Sequence, residues 1–167
     1  MARKEDMSND GSDNGDSGVF ALNDTRIGRY GDNKKRSDIQ LVQFFLKQFY
    51  RLHPAYFRML PQTRSKAAVI VIDGKYGKQT EEGIIYFQLF MQKKGIPIKP
   101  DGLVSVPHSL RGPNSNTVYT IHRLNHYFKL NGEHKEYHGR LEDHPDIVAF
   151  APELRAELAS AAVRNDF

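Results

Sequence analysis

Apolar residues recur along the chain at the spacing of amphipathic helices, and the first such segment begins near Ser37. Its apolar positions follow the i, i+3, i+7 rhythm of a helix face that turns toward a core. These positions are Ile39, Val42, Phe45, Leu46 and Phe49. Ser37 and Gln40 fit a capping box, in which each side chain bonds a backbone N–H of the first turn. The pattern predicts a first helix that begins at Ser37.

Three further segments show the same rhythm, and each is bounded by residues that begin or end helices. The second covers about residues 78–94 and stops at Gly95. The third follows a cap near Asn116 and ends at residues 131–132, and the last begins at Pro152. Their apolar stripes are, in order, Ile84, Phe87 and Met91; Val118, Ile121, Leu124 and Phe128; and Leu154, Leu158 and Ala162. A mainly α-helical fold is therefore predicted.

The N-terminal residues differ from the rest because they are polar and rich in Gly, Asn, Asp and Ser. Such a segment buries too little apolar surface to order itself alone, so residues 1–26 are predicted to be a flexible or partner-bound arm. Val19, Phe20 and Leu22, in its apolar run 19–22, are the predicted anchor on another protein subunit. Residues 1–24 hold two basic and six acidic side chains, 2 − 6 = −4, which favours a basic partner surface.

The net charge and the distribution of basic residues bear on whether the protein binds nucleic acid. The 167 residues include 24 basic and 20 acidic side chains, a formal net charge of +4. The densest basic cluster, residues 34–36, is too short for a nucleic-acid footprint. We therefore expect no nucleic-acid partner.

Composition also limits the chemistry and the location. The chain has no cysteine, which excludes disulfides, thiolate metal sites and cysteine nucleophiles. No stretch approaches the roughly 18 apolar residues of a membrane span, so membrane insertion is not expected. The first ten residues lack the apolar core of a secretory signal. Synthesis in the cytoplasm is expected, with any export left to another machine.

A turn between an extended segment and the second helix carries the most specific residues. The β-branched run 69–72 leads into Asp73 and Gly74. The Asp73 carboxylate can accept N–H bonds from the turn it opens, and Gly74 and Gly77 permit backbone angles that other residues avoid. Thr80 can stabilise the first turn of the helix. Further along that helix, Phe87 is a predicted core residue and Gln88 is predicted to bond backbone across the bundle.

Taken together, three stretches resemble the peptidoglycan-binding domain family. They read Ile39-x-x-Val42-Gln43-x-x-Leu46, then Asp73-Gly74-x-Tyr76-Gly77-x-x-Thr80-x-x-Gly83-Ile84-x-x-Phe87-Gln88, then Asp101-Gly102-x-Val104. The lead-in Ile27-Gly28-Arg29-Tyr30, with Asn33 and Asp38, is similar to members of that family as well. The span from Leu46 to Asp73 is longer than is usual there, and Ser105 stands where a glycine is expected.

The resemblance implies a three-helix peptidoglycan-binding-like bundle over residues 27–130, with an extended N-terminal arm before it and a linker and C-terminal helix over residues 131–167. It implies that muropeptide is contacted in a shallow groove beside the loops. The ligand-binding residues implied are Asp73, Tyr76, Thr80 and Asp101, and the fold-defining ones are Gly74, Gly77, Phe87 and Gln88. No cofactor and no catalysis are expected.

Two functional hypotheses follow, with a catalytic alternative. The chain is a non-catalytic module that contacts the cell wall, or a structural component of a larger assembly such as a phage tail, a virion or a contractile injection machine. The alternative is a small metal-dependent cell-wall hydrolase, because His122 and His126 are spaced i, i+4. His134, His138 and His144 follow nearby. No HExxH motif accompanies these histidines, and Glu81 and Glu82 at a helix start complement the helix dipole.

Overall fold

Six α-helices and four short strands make the described part of the chain a mainly α-helical fold. The computed structural model describes residues 3–6, 19–58, 70–106, 119–130, 137 and 140–162, with backbone alone for 3–6, 19–22, 57–58 and 161–162. The helices are α1 (Arg36–Leu52), α2 (Pro54–Arg58), α3 (Lys78–Lys93), α4 (Thr120–Leu130), α5 (Pro145–Phe150) and α6 (Pro152–Ala162). The strands are β1 (Arg3–Asp6), β2 (Val19–Leu22), β3 (Ile27–Gly28) and β4 (Leu103–Val104). None of the described helices is both long enough and apolar enough to cross a membrane.

Helix α1 lies at the centre of the packing and contacts α3, α4 and α6. Its predicted stripe is buried, and so are Leu41 and Phe44 on a second face. That second face is covered by the C-terminal part of the chain, where the ring of His144 meets Phe44 edge to face at 4.8 Å. On the first face, the Phe49 ring packs against Phe87 at 5.0 Å. Helix α1 is therefore buried on two sides, which a one-sided stripe does not predict.

The C-terminal helices are held to α1 by charged as well as apolar contacts. Asp146, in the first turn of α5, accepts hydrogen bonds from Lys47 Nζ at 2.9 Å, Gln48 Nε2 at 2.7 Å and Arg51 Nη1 at 2.6 Å. Leu154 and Leu158 of α6 are fully buried, as the sequence pattern predicted. The acceptor side chain on α5 thus faces donors spread over two turns of α1.

The capping box predicted at the start of α1 is wrong. Helix α1 begins one residue earlier, at Arg36, and no side chain caps its first turn. Gln40 instead reaches the start of α6, where its Oε1 accepts the Leu154 N–H at 3.1 Å and its Nε2 donates to Glu153 Oε2 at 2.8 Å. The Ser37 hydroxyl is buried and has no hydrogen-bond partner among the described residues.

The other helix predictions agree with the structure where it describes them. Helices α3 and α6 begin at Lys78 and Pro152 as predicted. The predicted cap of α4 near Asn116 lies outside the described residues, as does Val118. Helix α5 was not predicted; it starts where His144 Nδ1 accepts the Asp146 N–H at 3.1 Å.

Two pairs of strands complete the fold. Strand β3 pairs antiparallel with β4, with Ile27 opposite Val104, and both side chains are fully buried. Strand β1 pairs antiparallel with β2, and this hairpin places β1 beside α6 and β2 beside α4. Residues 19–22, which include the predicted anchor Val19, Phe20 and Leu22, therefore lie in a strand of the chain's own hairpin. Their binding to another subunit stays a prediction.

Candidate functional site

The Asp73 turn has the geometry predicted from its sequence. The Asp73 Oδ1 atom accepts the Lys75 N–H at 2.9 Å, which closes an Asx turn. Gly74 has a φ of 69°, in the left-handed region that favours glycine. A Cβ at Gly74 would stand 2.2 Å from Cγ of Arg36. Both the backbone angle and the close approach therefore require glycine at this position.

Gln43 of α1 holds this turn from the side. Its Oε1 accepts the Gly74 N–H at 2.9 Å. Its Nε2 lies 3.0 Å from Asp73 Oδ1, 3.1 Å from the Lys75 carbonyl oxygen and 3.1 Å from Thr80 Oγ1. Because the Gln43 side chain is buried, these bonds are shielded from water and fix the turn against both helices.

A second turn repeats this arrangement. Gly102 has a φ of 71°, and its N–H donates to Gln88 Oε1 at 2.9 Å. Gln88 Nε2 lies 3.3 Å from Asp101 Oδ1 and 3.0 Å from both the Leu103 carbonyl oxygen and Thr120 Oγ1. Asp101 Oδ1 also accepts the Leu103 N–H at 3.0 Å. We call each set, Gln43-Asp73-Gly74-Thr80 and Gln88-Asp101-Gly102-Thr120, a glutamine bracket.

The repetition is visible in the sequence, although the sequence analysis did not use it. Ile39-x-x-Val42-Gln43-x-x-Leu46 in α1 corresponds to Ile84-x-x-Phe87-Gln88-x-x-Met91 in α3 and to Ile121-x-x-Leu124-Asn125-x-x-Phe128 in α4. In the third copy, Asn125 Nδ2 donates to the Ile121 carbonyl oxygen at 2.8 Å within its own helix. In each copy an amide residue directly follows the second apolar residue of the stripe, and in α1 and α3 this residue is the glutamine of a bracket.

The lead-in to α1 is fixed by two further side chains that the resemblance singled out. Asn33 Oδ1 accepts the Gly28 N–H at 2.9 Å, and Asn33 Nδ2 donates to the Gly28 carbonyl oxygen at 2.7 Å. Asp38 Oδ2 accepts the N–H groups of Asp24 and Thr25 at 3.0 and 2.7 Å. Burial raises the pKa of Asp38, and the hydrogen bond from the Thr25 hydroxyl opposes that rise. These contacts fix the segment before α1, whose Arg29 side chain lines the same surface as Tyr76.

The structure assigns mostly structural contacts to the four residues predicted to bind muropeptide. Thr80 is 3% exposed and bonds Gln43. One carboxylate oxygen each of Asp73 and Asp101 is engaged within a bracket. Tyr76 is half-buried against the core and lines the surface beside the turn. Of the four, Tyr76 is therefore placed best to meet a ligand.

The role predicted for Gly77 is also corrected. Its φ of −153° and ψ of −177° are extended angles that any residue adopts, and a Cβ there would meet nothing within 4 Å. Gly77 instead occupies the N-cap position of α3. Of the two glycines in the turn, only Gly74 is required by backbone geometry.

A surface groove of about 640 Å³ runs along α3 beside the Asp73 turn. It is lined by Arg29, Tyr76, Gly77, Lys78, Glu81, Glu82, Ile85, Tyr86 and Leu89. Two ion pairs lie in it: Arg29 Nε lies 3.9 Å from Glu81 Oε1, and Lys78 Nζ lies 3.8 Å from Glu82 Oε1 one turn along α3. We call this surface the α3 groove.

A second cleft of about 300 Å³ lies on the other side of the same turn. Tyr76, Gly77 and Lys78 line both, so the two depressions meet around this three-residue segment. The second cleft also borders Val71, which is 53% exposed. The turn is therefore flanked on both sides by surface that a bound molecule can reach.

The histidines form no metal site in the described residues, where no three His, Cys, Asp or Glu side chains come together. His122 is 8% exposed and packs edge to face on Tyr119 at 5.4 Å. His144 caps α5 through its Nδ1. His134 and His138 lie outside the described residues.

Comparisons of the chain with profiles of protein families, with characterised proteins and with solved structures find no match. No family is therefore assigned. The likeness to the peptidoglycan-binding domain family rests on the residues quoted above, and its functional content is a proposal.

Proposed function

We propose that this protein is a non-catalytic, peptidoglycan-binding-like module that acts as a cell-wall-contacting or structural component of a larger assembly, such as a phage tail, a virion or a contractile injection machine. The observation that carries the proposal is the α3 groove beside a turn fixed by the Gln43 bracket. A rigidly held loop beside an open groove suits recognition, because little conformational entropy is lost when a ligand binds.

The chemistry of the α3 groove supports a cell-wall ligand. Muropeptides combine sugar acetamides with peptide carboxylates and, in many walls, an amine. The groove offers cations at Arg29 and Lys78, carboxylates at Glu81 and Glu82, and the half-buried ring of Tyr76. A ligand of mixed charge therefore finds complementary groups on one surface.

The same groups argue for binding rather than catalysis. Both carboxylates of the α3 groove face a cation, Glu81 with Arg29 and Glu82 with Lys78. An acid catalyst usually lies in an apolar site or beside another carboxylate, whereas each of these carboxylates lies beside a cation. The groove thus supplies charges for recognition.

The metal-dependent hydrolase is the competing function, and no observation in the described residues favours it. We expect purified protein to release no muropeptides from sacculi, with or without added zinc. Zinc-dependent release that is lost in both His122→Ala and His126→Ala would establish the hydrolase instead.

Co-sedimentation with purified sacculi tests the proposal, and the chain offers a matched control. Lys78 and Lys99 are exposed to similar extents, 85% and 80%, and each pairs weakly with one carboxylate. Lys78→Glu should reduce the bound fraction several-fold, whereas Lys99→Glu, with the same change in net charge, should bind like wild type. Failure of the wild-type protein to sediment with sacculi would refute wall binding.

A further inference from the structure

We infer that the α3 groove selects the peptide stem of the cell wall, through a segment that carries both an ammonium and a carboxylate group, and not the glycan strand. This inference rests on the proposed function and specifies the ligand of the same site. Three properties of the groove support it: the N–O distances of its ion pairs, the exposure of each charged side chain, and the apolar side chains beside the charges.

The two ion pairs of the α3 groove are loose. Their N–O distances are 3.9 Å and 3.8 Å, beyond the range of a charge-assisted hydrogen bond. Elsewhere in the molecule, Lys47 lies 2.9 Å from Asp146 and Arg36 lies 2.9 Å from Glu153. The groove pairs are therefore loose enough for a ligand to separate them at little cost, provided that it supplies both signs of charge.

The positively and negatively charged side chains of the groove also differ in exposure. The cations are at the rim, with side chains 67% exposed at Arg29 and 85% exposed at Lys78. The carboxylates lie deeper, with side chains 27% exposed at Glu81 and 22% exposed at Glu82. A ligand is thus directed with its ammonium inward, onto the glutamates, and its carboxylate outward, onto Arg29 and Lys78.

Apolar side chains form the rest of the surface. Ile85 and Leu89 follow Glu81 at intervals of four residues along α3, so the three share one helix face. Both are partly exposed and line the groove. An aliphatic chain that ends in an amine, such as the side chain of a diamino acid, can lie along this face and reach Glu81.

A neutral glycan strand matches the groove less well. It supplies hydroxyl and acetamide groups, which do not replace the charge partner lost when an ion pair opens. Sugar rings stack best on exposed aromatic faces, and of the two tyrosines that line the groove Tyr86 is 4% exposed and Tyr76 is half-buried. The exposed ring of Tyr30 does not line the groove, and the Arg29 guanidinium lies 5.7 Å from its centre. The charges of the groove therefore favour the peptide.

Calorimetric titration of the full chain with defined probes tests the inference. The probes are the tripeptide L-alanyl-γ-D-glutamyl-L-lysine, its ε-N-acetyl derivative and tetra-N-acetylchitotetraose. We expect the free tripeptide to bind, the acetylated form to bind about tenfold more weakly, and the tetrasaccharide to show no saturable binding. Equal binding of the two peptides, or stronger binding of the sugar, would overturn the inference.

Variants connect the effect to the groove. In Glu81→Gln, the free and acetylated peptides should bind alike, because the group that distinguishes them is neutral. Glu82→Gln provides an independent variant should Glu81→Gln unfold. Asp143→Asn is the matched control, since Asp143 forms a similarly loose pair with Arg140 at 4.0 Å outside the groove; it should keep the full discrimination. If Asp143→Asn bound the two peptides alike, or if both glutamate variants still preferred the free peptide, the ammonium group would not be recognised by the α3 groove and the inference would be wrong.

Failure of this inference can be told apart from failure of the proposed function. The sedimentation assay with intact sacculi is repeated with an excess of the tripeptide or of tetra-N-acetylchitotetraose as competitor. Release of the protein by the tetrasaccharide, or by neither competitor, would overturn stem recognition and leave wall binding in place. No binding to intact sacculi would overturn the proposed function and this inference with it. Release by the tripeptide alone is the expected result.

Discussion

Gln43 and Gln88 make equivalent contacts from two successive helices: each side-chain oxygen accepts the N–H of a left-handed glycine at 2.9 Å, and each side-chain nitrogen faces the preceding aspartate. Each amide also bonds a threonine at the start of the following helix. One side chain thus ties together a helix, a turn and the next helix. The bracket at Gln43 borders the proposed ligand groove, so its integrity determines the shape of that surface.

Loss of a bracket should be costly. In Gln43→Ala, buried polar groups at Gly74 and Thr80 lose their partner, and we expect the free energy of unfolding to fall by about 2–3 kcal/mol. Gln88→Ala should cost a similar amount. Urea denaturation measures both, with Gln79→Ala, an exposed position on the same turn of α3 as Thr80, as a control expected to change stability by less than about 0.5 kcal/mol. If Gln43→Ala left the free energy of unfolding unchanged, the bracket would not stabilise the fold.

The two glycines of the Asp73 turn should respond differently to alanine. Gly74→Ala forces an L residue to a φ of 69° and brings a Cβ against Arg36, so a loss of about 1–2 kcal/mol is expected. Gly77→Ala should change stability by less than about 1 kcal/mol, since its angles are extended and the space is open. Arg36→Ala relieves the contact and leaves the backbone strain, but it also removes the bonds of Arg36 to Asp73 and Glu153. The double variant is therefore compared with Arg36→Ala alone, which separates the two causes. Equal effects at Gly74 and Gly77 would contradict this account.

Asp146 should make stability depend on acid pH. Burial by itself raises the pKa of this carboxyl, but the hydrogen bonds from Lys47 and Gln48 and the charges of Lys47 and Arg51 lower it below its ordinary value. A carboxyl with a lowered folded pKa contributes stability above the unfolded pKa, about 3.9 for aspartate. That contribution is lost as the pH falls through the folded pKa.

Asp146→Asn should therefore destabilise by about 2 kcal/mol near pH 7, and its stability should converge with that of wild type below about pH 4. Thermal unfolding from pH 2 to pH 7 measures the difference. Asp32→Asn is the control, because its pair with Arg26 is half-exposed and should contribute less than about 0.5 kcal/mol. A constant difference across the whole pH range would show that the charge of Asp146 is not the cause.

Two truncations that differ by two residues should distinguish the contribution of the hairpin to stability from that of the residues that follow it. Residues 1–26 were predicted to be an arm outside the folded module, but Asn23 is fully buried and its Nδ2 lies 3.5 Å from the Val104 carbonyl oxygen. The backbone N–H of Asp24 also bonds Asp38. Deletion of residues 1–24 should therefore cost about 1–3 kcal/mol more than deletion of residues 1–22. Identical denaturation midpoints would refute a structural role for these two residues.

The helices were predictable because their signals are local. The start of α3 at Lys78 and that of α6 at Pro152 follow from apolar periodicity and from residues that begin helices. The Asx turn at Asp73 and the reach of Gln88 to backbone also followed from residue type and position.

What the sequence analysis missed depends on contacts between distant residues. The capping box failed because Gln40 bonds Glu153 and Leu154, more than a hundred positions along the chain. Helix α5 has six residues, too few to be stable by propensity, and is held by the contacts of Asp146 with α1. The α3 groove was expected only from the resemblance, because its charges come from both Arg29 and α3.

Helix α3 belongs to both glutamine brackets. Thr80, near its start, completes the Gln43 bracket, and Gln88, about two turns later, begins the second bracket. In stacked-repeat proteins, stability comes from each unit and from the interface that the unit shares with its neighbour. The two brackets therefore form a short array with one helix in common, and a substitution that shifts α3 should weaken both of them.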